Sequence, residues 1–116
     1  MKILIFGASG MLGNNLFSIF SENKNFETYG VIRNKSKNNI SKYSKNLEEI
    51  SDVRNSEEVE QVARKISPDV IINCVGIIKQ KENIDNKVQT IEINSLLPHL
   101  LFNISKNVGA KFIHFS

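Results

Sequence analysis

Three glycines spaced three apart, Gly7, Gly10 and Gly13, follow directly on the apolar run Lys2-Ile3-Leu4-Ile5-Phe6 and open a stretch in which Leu12, Leu16, Ile19 and Phe20 recur at helical intervals. A short, nearly continuous apolar run closed by glycine is the pattern of a parallel strand buried on both faces. The spacing after it is that of an amphipathic helix. In such a strand–turn–helix unit the first glycine lets the chain leave the strand. The second stands where a side chain would block a pyrophosphate, and the third where helix meets sheet. The start of the helix offers unpaired N–H groups and its positive dipole end to phosphates. Gly7-Ala8-Ser9-Gly10-Met11-Leu12-Gly13 is therefore read as a dinucleotide-binding turn, with a glycine-rich connection that merely turns as the plainer alternative. No Gly-Lys-Ser/Thr follows, which disfavours a nucleoside-triphosphate loop.

The rest of the chain repeats the alternation. Phe26 to Ile32 reads as a second strand weakened by Gly30, and the polar stretch from Arg33 to Asn46 as loop with at most a short helix. Leu47 to Val53 offers a third strand. Asn55 stands at an N-cap position with Glu58 three residues on, and Val59, Val62, Ala63 and Ile66 supply the stripe of a helix that Ser67-Pro68 stops. Asp69 to Cys74 is a fourth strand. A longer helix is expected over about Lys87 to Asn107, ended by Gly109, and Lys111 to Ser116 is a fifth strand. These elements predict an α/β fold: a Rossmann-type doubly wound parallel sheet with right-handed crossovers, strand order 3-2-1-4-5, and a ligand crevice at the carboxyl ends of strands 1 and 4. Residues 1–116 are expected to form a single NAD(P)-binding domain.

Composition narrows the function classes. The net charge of +3 is concentrated in Arg33, Lys35, Lys37, Lys42 and Lys45, a polar stretch without the interleaved aromatics of a nucleic-acid surface, so no nucleic-acid partner is expected. Cys74 is the sole cysteine, which excludes an intrachain disulfide and suits the cytoplasm. No apolar run approaches the ~18 residues of a membrane span. His99 is placed on a helix surface and His114 in a strand without a ligand pattern, so no metal site is expected. Arg33 stands about twenty positions beyond the turn, where an acid selects NAD and an arginine pairs with the extra phosphate of NADP. NADP is therefore expected, with NAD possible, and an exposed arginine at a strand end is the alternative.

Gly7-Ala8-Ser9-Gly10-Met11-Leu12-Gly13, Asp52-Val53-Arg54, Ile72-Asn73-Cys74-Val75-Gly76, Asn94 and Phe112-Ile113-His114-Phe115-Ser116 resemble, in that order, the extended short-chain dehydrogenase/reductase family, most of all its nucleotide-sugar reductases. The resemblance implies that Asp52 hydrogen-bonds the adenine amino group while Val53 packs on the ring. For Asp52, a simple charge before the following helix is the alternative. It also implies that Cys74-Val75-Gly76 is the small-residue loop near the ribose and nicotinamide. By its own chemistry Cys74 is a small buried apolar residue rather than a reactive thiol. Asn94 matches an asparagine near the family's active site, or else fills backbone bonds freed by Pro98.

The same family follows its fifth strand with a catalytic Ser/Thr and then a Tyr-x-x-x-Lys. Ser116 corresponds to the residue before that hydroxyl, and Tyr29 and Tyr43 lack the lysine four residues on. The chain is thus expected to be truncated after its fifth strand, to supply the cofactor-binding part of an enzyme that reduces a keto-sugar nucleotide, and to self-associate through its open edge. A non-catalytic dinucleotide sensor or regulatory module of the same fold is the competing expectation.

Overall fold

The computed structural model describes residues 1–33, 44–75, 88 and 92–115. Five strands form one parallel sheet: β1 (Lys2–Phe6), β2 (Glu27–Ile32), β3 (Leu47–Glu49), β4 (Val70–Asn73) and β5 (Lys111–His114). Their spatial order is β3-β2-β1-β4-β5, as the alternation predicts. The strand at the centre explains why the first run is apolar throughout. Ile3 and Ile5 pack with Ala8, Phe17, Leu47, Ile72 and Cys74 on one face, toward α1 (Met11–Glu22). Leu4 and Phe6 pack on the other with Ile71, Val59, Ala63, Leu97 and Leu101, toward α2 (Ser56–Ile66) and α3 (Leu97–Val108). Alternate residues of one strand thus fill two cores, the condition of a doubly wound sheet.

Helix α1 differs from expectation in its facing. Its buried residues are Gly13 and Phe17, whereas Leu12 and Ile19 are exposed. Gly13 seats the helix on the turn after β1, so the packed stripe runs from it through half-buried Leu16 and buried Phe17 to half-buried Phe20, at offsets of three, four and seven. Gly30 lies under this helix. A methyl there would stand 2.7 Å from Cβ of Ala8 and 3.2 Å from Cδ1 of Phe17, so the glycine opens the strand for close packing rather than weakening it.

Four further elements depart from the sequence reading. Strand β3 stops at Glu49 rather than Val53, because its partner β2 ends opposite it at Ile32. The ladder closes with the Ile50 N–H donating to the Ile32 carbonyl at 3.0 Å. Strand β4 is likewise shorter than expected, by one residue at each end, and β5 stops before Phe115, with Ser116 outside the described residues. The expected single helix from Lys87 is a π-helical segment, Glu92–Leu96, leading into α3, with Val88 helical and the remainder of 87–91 outside the described residues. Pro98 has no N–H for the Asn94 carbonyl and its ring crowds that oxygen, which the wider π turn relieves. Helix α2 starts as expected: Asn55 Oδ1 accepts from the Glu58 N–H at 3.3 Å. It ends at Ser67, held left-handed at φ 52° ahead of Pro68, which disfavours the helical region for its predecessor.

Candidate functional site

The loops after β1, β2, β3 and β4 all emerge at the carboxyl edge of the sheet, and the order reverses between β1 and β4. The glycine turn lies at that reversal. Gly7 has φ +82°, and a methyl on it would lie 2.7 Å from the Cys74 carbonyl carbon and 2.7 Å from the Val75 nitrogen. The turn after β1 and the loop after β4 therefore touch backbone to backbone. A methyl on Gly13 would strike the Gly7 peptide, 2.7 Å from its carbonyl carbon. Gly10 is different. Its φ of −73° and ψ of 170° suit any residue, and among the described residues a methyl on it would meet only the Gly7 oxygen, at an ordinary 3.5 Å. Its N–H donates to the Gly7 carbonyl at 3.1 Å, and its own carbonyl accepts from Asn14 at 2.8 Å. Ser9, Gly10, Met11 and Leu12 are all exposed around the start of α1, which no side chain caps.

At the ends of β2 and β3 the charges gather. Arg33 is exposed immediately beyond β2. Asp52 is gripped by Arg54: Nη2 at 2.6 Å, Nε at 3.0 and 3.1 Å from the two oxygens, and the Arg54 N–H at 2.8 Å. The guanidinium bonds hold the Asp52 carboxyl below the usual carboxylate range against the opposing effect of burial, with the backbone bond and the charge of Arg33 adding to them. Val53 and Arg54 line a cleft of about 100 Å³ with Leu96, Leu97 and Leu100 of the neighbouring helix. The Asn55 N–H donates to the Asp52 carbonyl at 3.0 Å rather than to Glu58. The Glu58 carboxylate bonds the hydroxyl and the N–H of Ser51, bonds that hold it below the usual carboxylate range.

At the end of β4, Cys74 is buried and burial pushes its thiol up, as suits a packing residue. Asn73 is 1% exposed, and both ends of its amide are engaged. Oδ1 accepts from the Val75 N–H at 3.1 Å, and Nδ2 lies 3.1 Å from Nδ1 of His114. A backbone N–H can only donate, so the amide nitrogen is the donor toward His114 and that ring nitrogen is the acceptor. The His114 ring also stacks on Phe112 at 6.4 Å.

Of the residues singled out from sequence, the structure brings the glycine turn against Cys74 and Val75, and Arg33 within electrostatic reach of Asp52. Asn94 is exposed in the π-helical segment, and Gly76 lies outside the described residues. Sequence reasoning quoted Asn73, Arg54 and His114 without giving them a role. The available signal for Asn73 was a carboxamide closing the apolar run Val70-Ile71-Ile72, a place that requires partners for its polar atoms. Among the described residues, no group of three or more His, Cys, Asp or Glu side chains is placed to hold a metal, and no helix is long and apolar enough to cross a membrane.

A model of the NAD dependent epimerase/dehydratase family matches residues 3–116. GDP-6-deoxy-D-talose 4-dehydrogenase of Aggregatibacter actinomycetemcomitans is 31% identical over 77 residues, which cover 66% of this chain and 21% of that protein. A hypothetical dTDP-4-dehydrorhamnose reductase from Sulfolobus tokodaii superposes with a TM-score of 0.79 at 26% identity, over 100% of this chain and 39% of its own. The dTDP-4-dehydrorhamnose reductase of Bacillus anthracis str. Ames, solved in complex with NADP, gives a TM-score of 0.68 at 25% identity, over 96% of this chain and 34% of its own. The chain thus spans between a fifth and two-fifths of the length of these relatives.

Proposed function

We propose, from the premise that this chain belongs to the NAD dependent epimerase/dehydratase family, that it binds a nicotinamide dinucleotide, NADP before NAD, across the crevice between the glycine turn and the β4 loop. We further propose that the protein is an oxidoreductase of nucleotide sugars resembling the dTDP-4-dehydrorhamnose reductases. The likeness to the reductase solved with NADP supports the cofactor. The likeness to two reductases and a dehydrogenase of sugar nucleotides supports the substrate class.

The observation that carries the dinucleotide reading is the contrast among the three glycines. Gly7 and Gly13 are required by the fold itself, since added atoms would meet backbone. Among the described residues nothing requires a glycine at Gly10, and the space above it is open to a group from outside. That space borders the uncapped N–H groups of α1, which suit a pyrophosphate in charge and in hydrogen bonding. The bound nicotinamide would supply the hydride. Arg33 would pair with the ribose phosphate, Asp52 would accept from the adenine amino group through what Arg54 leaves of its acceptor capacity, and Val53 would pack on the ring. Cys74, Val75, Gly76 and Asn94 would border the nicotinamide side.

Calorimetric titration with NADPH and NADH tests this. Gly10→Ala and Gly10→Val are expected to fold as the wild type does and to lose affinity for both cofactors. Full affinity in folded Gly10→Val would overturn the assignment of the turn.

A further inference from the structure

We infer that Asn73 is a positioning residue, whose buried amide sets the width of the dinucleotide crevice by holding the Val75 N–H on one side and the β5 residue His114 on the other. The inference rests on the dinucleotide reading for its functional consequence and on the hydrogen bonds alone for its structural part. Val75 is the second residue past β4, where the strand ladder no longer holds the chain, and the Asn73 side chain takes the place of a ladder partner for its N–H. The nitrogen so fixed and the Cys74 carbonyl carbon it is bonded to are the two atoms that crowd Gly7 most, each 2.7 Å from where a methyl on Gly7 would stand. Moving it moves the wall facing the glycine turn. On the far side, Nδ2 meets His114, and the Asn73 carbonyl accepts from the Phe115 N–H at 3.2 Å, so one residue ties the β4 loop to the end of β5. The amide has an apolar strand behind it and almost no solvent, which makes its bonds costly to lose.

The chemistry separates the two contacts. Asn73→Asp keeps an oxygen for Val75 and offers the other to His114, which then presents a proton on Nδ1. Asn73→Ala keeps neither bond. His114→Phe keeps the bond to Val75 alone.

Amide hydrogen exchange at Val75 and calorimetric titration with NADPH are measured on the wild type and these three variants. Val75 is expected to be protected in the wild type, Asn73→Asp and His114→Phe, and to exchange freely in Asn73→Ala, whose NADPH affinity falls about tenfold. Recovery of most of that affinity in Asn73→Asp separates positioning from loss of packing. Unchanged Val75 exchange in Asn73→Ala, or unchanged NADPH affinity in that variant, overturns the inference. Should Asn73→Ala fail to fold, an unprotected Val75 in the wild type or in folded Asn73→Asp overturns it equally. If the wild type binds neither NADPH nor NADH, the dinucleotide reading fails, while Val75 exchange still decides whether Asn73 holds the loop.

Discussion

Gly13 rests on Gly7 so closely that a methyl added to Gly13 would stand 2.7 Å from the Gly7 carbonyl carbon and 3.1 Å from the Cα of Ala8. Both neighbours are backbone and cannot yield by changing rotamer. Overpacking in a well-filled interior costs about 1–3 kcal/mol, and Gly13→Ala is expected at the upper end of that range. At Gly10 a methyl finds ordinary room, so Gly10→Ala is expected to cost no more than about 1 kcal/mol. Urea denaturation of the two variants side by side checks this, and equal losses would contradict it.

Arg33 is expected to set the cofactor preference. A charge-assisted pair with a phosphate contributes roughly 1.5–3 kcal/mol, so Arg33→Ala should weaken NADPH binding by about tenfold to a hundredfold and leave NADH binding little changed. Titration of both cofactors against both proteins measures it. A loss shared equally between NADPH and NADH would place Arg33 away from the ribose phosphate.

The fold was legible because its signals are local and independent. An apolar run, a glycine spacing and a helical period each predict one element of the βαβ unit, and parallel pairing leaves few ways to join such units. The boundaries were less legible because they depend on partners. Nothing in Leu47 to Val53 says that β2 ends opposite Glu49, and nothing between Leu12 and Phe20 says that Phe17 is buried while Leu12 and Ile19 are exposed. The site shows the same division. The turn is written in one stretch of sequence, whereas the contact of Asn73 with His114 spans 41 positions and appears only when β5 is laid beside β4.

The Asp52–Arg54 pair gives a pH dependence of known sign. Asp52 has a lower pKa folded than unfolded, so its contribution is fully present above the unfolded value near 3.9 and is lost as pH falls through the lower folded value. With side-chain exposures of 30% for Asp52 and 36% for Arg54, solvent screening keeps the contribution to about 1 kcal/mol or less. Asp52→Asn should therefore be slightly less stable than the wild type at neutral pH, and the difference should close below about pH 4. A difference that persists at pH 2 would assign the effect to packing.

Cys74 is expected to behave as a packing residue. Its burial raises the thiol's pKa, which suppresses the thiolate, and hides the sulfur, so iodoacetamide at pH 8 should label the native protein slowly and the urea-unfolded protein fully. Rapid labelling of the native chain would show that the loop after β4 opens.

Gly30 has an effect on the crevice that its own surroundings do not announce. It lies in β2, where a single added carbon would press on Ala8 within the glycine turn and on Phe17 in α1. Together with Gly13 it fixes how low the helix rides over the sheet, and thus where the first turn of α1 stands at the crevice. The architecture is consequently asymmetric toward error. Removing atoms from its core leaves hollows into which neighbours can relax, whereas adding them beneath this helix lifts it as a rigid lever. Damage to the crevice can therefore originate in a strand that forms no part of it, through a change that makes the interior fuller rather than emptier.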